Sequence, residues 1–200
     1  MSRTDTPDAA APARAARRRT HRRTHRRIVS EWREDLLGLP YPVILENAVI
    51  EKVDDATGEV LGNAVPDLDA LAETLAVVRV FLPVRLSAPE VRFLRKAVKM
   101  TGRQLAAALG LTPETVSRWE NGKVSVGEYT ERLLRHVIAA ELKDRVPALD
   151  LDPKHLNRLK VVAEWPDGAP PEFRFRRVKL KHEGSGAVTD EWDTDGRQAA

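Results

Sequence analysis

The stretch from Thr101 to Lys123, TGRQLAAALGLTPETVSRWENGK, constrains the fold of this chain more than any other. Thr101 can cap a helix N-terminus, and Leu105, Ala106 and Leu109 recur at helical spacing. Gly110 ends that helix, because glycine enters the left-handed C′ conformation without a Cβ clash. Thr112 is a second N-cap, and Pro113 sits at N1, where its missing N–H costs nothing. Val116 and Trp119 then point inward, while Thr115, Ser117 and Arg118 face out, and Asn121-Gly122 stops the helix. An ordinary helical hairpin in a core is the competing reading. The small run Ala106–Ala108, the Gly110 turn and the Thr-Pro start occur together, and that combination predicts a helix-turn-helix whose second helix spans 113–120.

Composition narrows the class of function. Aromatic residues are 5% of the chain, which argues against platforms for stacking single-stranded nucleic acid. No apolar run approaches the ~20 residues of a membrane span, so no membrane association is expected. There is no cysteine, which removes disulfides and thiolate metal sites and suits a reducing cytoplasm. Charge is lopsided: residues 1–27 hold nine Arg against Asp5 and Asp8, a balance of +7. Residues 183–200 hold five acids against Arg197, a balance of −4.

Along the chain the expected units are five. Residues 1–27 read as a disordered basic arm in which Arg17, Arg18, Arg19, Arg22, Arg23, Arg26 and Arg27 serve as nonspecific phosphate contacts. A merely solvated basic tail is the equal alternative, and His21 with His25 is not read as a metal site. Residues 28–66 form a small N-terminal region. An amphipathic helix is expected over 28–39 (Ile28, Trp32 and Leu36), and a β-hairpin over 43–62 from VILENAVIEKV, DDATG and EVLG. Residues 67–146 form the helical domain. Its helices are predicted at 68–82 and 88–99, the latter opened by a Ser87/Glu90 capping box, then the 101–123 motif, then 126–144 opened by Ser125/Glu128. In the last of these Tyr129, Leu133, Val137 and either His136 or Ala140 are expected to line the inner side. Residues 147–182 suggest a short helix to about Leu159, then KVVAEW and FRFRRVKLKH as two strands, the second basic and read as an edge strand. Residues 183–200 read as an acidic disordered tail. The fold class expected is mainly α: a five-helix domain preceded by a small metal-free β-hairpin region and followed by a short C-terminal β-hairpin.

The string SRWENGK resembles the recognition-helix end of the Cro/repressor-like (XRE) helix-turn-helix superfamily. Over residues 41–123, the order of hairpin, helix, RLSAPEVRFLRK and TVSRWENGK is similar to the YgiT/MqsA-type antitoxins, in which a zinc-binding N-terminal domain precedes a DNA-binding domain of this kind. The zinc-binding cysteines are absent here: Gly58-Glu59 follows Asp54, Asp55, Ala56 and Thr57. Neither metal nor cofactor is therefore expected, and toxin binding, which the family assigns to that N-terminal domain, is put in question.

The resemblance implies base readout by Arg118, whose fork matches guanine O6/N7, and by Glu114, which can accept from cytosine. Thr112, Thr115 and Ser117 are donors to phosphate or base edges, and Lys123 is a phosphate contact. Thr101 opens the first helix, and Gly102 stands where many members carry a phosphate-contacting Gln, leaving its backbone N–H there. The partners expected are double-stranded DNA, a second copy in a homodimer, and a cognate toxin. Three functions compete: an autorepressing antitoxin-like regulator, a plain repressor with no toxin, and an interaction module that keeps the fold without binding DNA. An enzyme is not expected, since no phosphate-cradling glycine motif or His/Asp/Ser constellation is present.

Overall fold

Strand β1 (Thr24–Glu34) begins the computed structural model, which describes residues 23–35, 37–146, 152–170, 172–181 and 188–194. It pairs antiparallel with β2 (Val43–Asp54), from Thr24 opposite Asp54 to Glu34 opposite Val43. The register shifts between Val29 and Glu31, beside Asn47, which takes a left-handed φ of 50°. The helix expected over 28–39 is therefore not formed. Its spacing of four is outweighed by a β-branched, aromatic stretch that finds a partner strand, with Trp32 opposite Leu45 and Ile28 opposite Ile50. The strand also takes in Thr24–Arg27, the end of the expected arm; residues 1–22 lie outside the described residues.

The expected hairpin is present. β3 (Val60–Ala64) returns along the second half of β2, with Val53 opposite Val60 and Ile50 opposite Ala64. The Asp54 carboxylate accepts from the N–H groups of Ala56 (2.9 Å) and Thr57 (3.2 Å), an Asx turn, and Gly58 supplies a φ of 70°.

Five helices follow: α1 (Leu68–Phe81), α2 (Ala88–Ala97), α3 (Gly102–Ala108), α4 (Pro113–Glu120) and α5 (Glu128–Leu142). A 3-10 helix at Pro153–Arg158 stands where the short helix is expected. Of KVVAEW, only Val162 bridges, to Val84, so the first expected C-terminal strand is absent. The second, β4 (Phe173–Lys181), is present, but it is not an edge. It lies parallel to β2 (Val43 opposite Phe173, Leu45 opposite Phe175) and antiparallel to β5 (Val188–Thr194), giving the order β1-β2-β4-β5 with β3 beside β2. β5 occupies the stretch read as part of a disordered tail.

The mainly α expectation is thus corrected: the chain combines five helices with a five-stranded mixed sheet. The basic residues of β4 tolerate a central position because they alternate with Phe173 and Phe175. Arg174 reaches across the solvent face to Glu46 (2.8 Å) and Glu31 (3.0 Å), and Arg176 to Asp193 (3.1 Å).

The other sheet face is apolar. Val43, Leu45, Phe173, Phe175 and Trp192 belong to one cluster with Leu71, Leu75 and Val78 of α1, and the same cluster runs on through Leu94, Leu105, Val116, Trp119, Leu134 and Ile138. Trp192 donates its Nε1–H to the carbonyl of Asp67 (3.0 Å), whose side chain caps α1. The last strand thereby fastens the start of the first helix.

Helix α5 presents a different face from the one expected. Tyr129 is 81% exposed and Leu133 37%, while Glu131, Leu134, Arg135, Ile138, Ala139 and Leu142 are buried; His136 and Val137 are half-buried. The reason lies in the 82–86 link, whose carbonyls need donors. Arg135 supplies them to Leu82 (2.8 Å) and Val84 (2.6 Å), and also to Val80 at the end of α1 (2.7 Å), and it is paired with Glu131 at 2.7 Å. Glu131 in turn accepts from the Leu86 N–H (3.1 Å). The Ser125/Glu128 box does not form: Gly127 is the N-cap, without a side-chain cap bond, and Glu128 pairs with Arg132 (2.7 Å).

Candidate nucleic-acid interface

Helices α3 and α4 are set by their caps. Thr101 and Gln104 form a reciprocal box: the Gln104 N–H donates to the Thr101 hydroxyl (3.2 Å), and the Thr101 N–H to Gln104 Oε1 (2.8 Å). Gly110, at φ 66°, ends α3 in a Schellman turn, with Leu111 N–H to Ala106 carbonyl (2.8 Å) and Gly110 N–H to Ala107 carbonyl (3.1 Å). Thr112 caps α4, accepting from the Thr115 N–H (3.4 Å), and its hydroxyl lies 3.1 Å from that of Thr115. Gly122, at φ 67°, closes α4 with a second Schellman turn: Lys123 N–H to Arg118 carbonyl (2.9 Å) and Gly122 N–H to Trp119 carbonyl (3.0 Å).

Within α4, Val116 and Trp119 are buried, and Glu114, Ser117 and Arg118 are exposed on the opposite face. The far end of the helix is gripped from behind. Arg95 of α2 holds the Glu120 carboxylate with Nε (2.5 Å) and a terminal nitrogen (3.0 Å), and also donates to the Met100 carbonyl (2.9 Å). The Glu120 hydrogen bonds raise the affinity of the Arg95 guanidinium for its proton. Arg92 donates to the Glu120 carbonyl (2.8 Å) and to Asn121 Oδ1 (3.1 Å). Arg92 satisfies one orphan carbonyl of the helix C-terminus, and both guanidiniums complement its dipole. The recognition face is therefore presented by a helix whose exit is locked.

Three cations without a side-chain partner among the described residues stand on this surface. Arg103, Arg118 and Lys123 are exposed, and none of their side chains has a hydrogen bond or ion pair among the described residues. Of the residues singled out from the sequence, Glu114, Thr115, Ser117 and Arg118 lie on α4 and Thr112 at its cap, with Lys123 just beyond its end. Thr101 and Gly102 lie at the start of α3, where the Thr101 side chain is engaged in the cap. Arg103, in the first turn of α3, belongs to no motif that the sequence marks. Arg92 and Arg95 leave α2 on its outward side and land on α4, a tertiary contact that helical spacing does not report.

The basic arm divides. Arg17, Arg18, Arg19 and Arg22, with His21, lie outside the described residues. Arg23 and Arg26 are exposed on or beside β1, Arg26 directly opposite Lys52, while Arg27 is tied to Glu51 (2.8 Å) and His25 to Asp55 (2.6 Å). Among the described residues no group of three or more His, Cys, Asp or Glu is arranged to hold a metal ion. No helix among them is long and apolar enough to cross a membrane.

Residues 91–128 match the model of the helix-turn-helix family. The chain carries an XRE-type helix-turn-helix domain. The match covers the whole of α3 and α4 and most of α2, the helix that locks α4. This is a DNA-binding, regulatory domain type rather than an enzymatic one. No curated protein and no solved structure gives a match.

Proposed function

We propose that the chain is a cytoplasmic transcriptional repressor that reads a palindromic double-stranded DNA site as a homodimer, with α4 in the major groove. The observation that carries this reading is the unpaired, exposed Arg118 on a helix whose opposite face and both ends are fixed. An arginine fork held this way matches guanine in the major groove, and Arg103 and Lys123 flank it as phosphate contacts. Glu114, Thr115 and Ser117 complete the base-facing set, and Thr101, Gly102 and Thr112 line the helix starts where backbone N–H groups meet phosphate. Arg23 and Arg26, with the arginines before them, add salt-dependent affinity.

A second copy is needed because one recognition helix spans about half of such a site. The outward stripe of α5, Tyr129 and Leu133 with half-buried Val137, is the surface we assign to it. The antitoxin-like form of this reading, with repression of the chain's own gene and a toxin partner, rests on the order of elements over 41–123. A toxin encoded beside the gene, and its co-purification with this chain, tests that form.

The experiment is binding of the purified chain to duplex from its own upstream region and to scrambled duplex, over a salt series, with Arg118→Ala alongside. Specific readout predicts preference for the native duplex that survives rising salt and costs roughly 1–3 kcal/mol in the variant, with nonspecific binding barely changed. Equal binding to both duplexes that collapses with salt would sink the reading and favour an interaction module.

A further inference from the structure

A cleft of about 330 Å³ opens where the β1–β2 link, the α1–α2 link and the 163–170 segment meet. That volume is within the range of small-molecule sites, about 300–1,000 Å³. Its wall is apolar, from Tyr41, Val84, Trp165 and Pro170, and it is braced: the Tyr41 ring meets Trp165 edge-on at 6.3 Å and stacks on Phe173 at 4.8 Å. Glu90, at the same cleft, is saturated by Arg79, Tyr41 and Ser87, so it offers an incoming molecule no free acceptor. Two charged lining residues differ from it. Arg85 and Glu164 are both exposed, and neither side chain has a partner among the described residues. Opposite charges that share a small cleft without pairing leave room for a molecule bearing both complementary charges. A simple cation would meet Arg85, and a simple anion Glu164.

We propose that this cleft binds a small zwitterion of the α-amino-acid class with an apolar side chain. The carboxylate is taken by Arg85, the ammonium by Glu164, and the side chain lies against Tyr41, Val84, Trp165 and Pro170. Ser87 and Glu90, which open α2, also line the cleft, and α2 carries the Arg92 and Arg95 that hold the end of α4. Occupancy therefore acts on the helix that positions the DNA-reading surface, a coupling that rests on the DNA-binding reading above.

The test is titration calorimetry of the full chain at neutral pH with L-phenylalanine and L-leucine, against 3-phenylpropionate and phenethylamine, which each lack one charge. The site predicts saturable binding of an amino acid, with each single-charge analogue weaker by about tenfold or more. Arg85→Gln should abolish the advantage over phenethylamine, and Glu164→Gln that over 3-phenylpropionate, with melting temperatures unchanged because both residues are exposed. Absence of saturable binding for both amino acids, or equal affinity for all the probes, overturns the site. This measurement contains no DNA, so its failure is separate from failure of DNA binding. A duplex titration with saturating amino acid then reads the coupling: a change in DNA affinity of about threefold or more supports it, and unchanged affinity overturns it.

Discussion

Replacing Glu90 with Gln isolates the charge at the centre of the helical domain. Glu90 is 3% exposed, and its carboxylate accepts from Arg79 Nε, from the Tyr41 hydroxyl (2.9 Å) and from the Ser87 N–H and hydroxyl (2.7 Å each). The Arg79 side chain is wholly buried; its other acceptors, the carbonyls of Leu82, Val84 and Arg85, are neutral. Gln keeps the shape and one acceptor oxygen but leaves that guanidinium without its counter-charge. Breaking a buried pair from one side costs about 3–5 kcal/mol, and the retained oxygen places this variant near about 3. For a chain of this size each kcal/mol moves the melting temperature by about 2–4 °C, so a drop of roughly 6–12 °C is expected.

The pH dependence gives a second, independent reading of the same pair. Burial pushes the Glu90 carboxyl up, but the hydrogen bonds and charge of Arg79, with those of Ser87, outweigh it and hold the group below its ordinary 4.5. A carboxyl depressed on folding stabilises fully above its unfolded value and loses that contribution as pH falls through the folded one. The gap between parent and Glu90→Gln, from urea unfolding followed by circular dichroism, should be constant from about pH 8 to 5 and shrink below 4.5. A loss under about 1 kcal/mol at neutral pH, or a gap that persists undiminished in acid, would refute the argument from a buried charge.

Other outcomes follow from single contacts. Trp192→Ala should cost about 3–5 kcal/mol in chemical unfolding, and Trp192→Phe about 1–2, the latter being the lost bond to the Asp67 carbonyl. Gly110→Ala, at φ 66° with open space around its Cβ, should cost about 1 kcal/mol from backbone strain alone. Lys99, at φ 59°, ends α2 in the same left-handed conformation, so Lys99→Gly should stabilise by up to about 1 kcal/mol in the same assay. If α5 forms the proposed dimer contact, Leu133→Asp on its outward stripe should leave the chain monomeric in sedimentation velocity, with stability within about 0.5 kcal/mol. Arg103→Ala should weaken native and scrambled duplex alike and flatten the salt slope, as loss of a phosphate contact does.

Local chemistry determined the helices. The Thr101 and Thr112 caps, the Ser87–Glu90 box and the turns at Gly110 and Gly122 depend on neighbours within a few residues, so they can be read directly from the chain. The outward face of α4 follows from the same spacing, so the exposure of Arg118 is legible in the sequence. Tertiary structure decided the rest, wherever two local solutions were close in energy. The 28–39 stretch carries both a helical repeat and β-branched residues, and pairing with β2 chose the strand. In α5 the stripe of Tyr129 and Leu133 and that of Leu134 and Ile138 are both apolar. The second faces inward because it brings Arg135 to the carbonyls of Leu82 and Val84, which it shares with Arg79. The sheet joins β2 to β4 across more than a hundred residues of sequence, and β5 recruits an acidic, polar stretch through two buried residues, Trp192 and Thr194. Such partners lie far apart in the chain, and no local pattern encodes which surfaces meet.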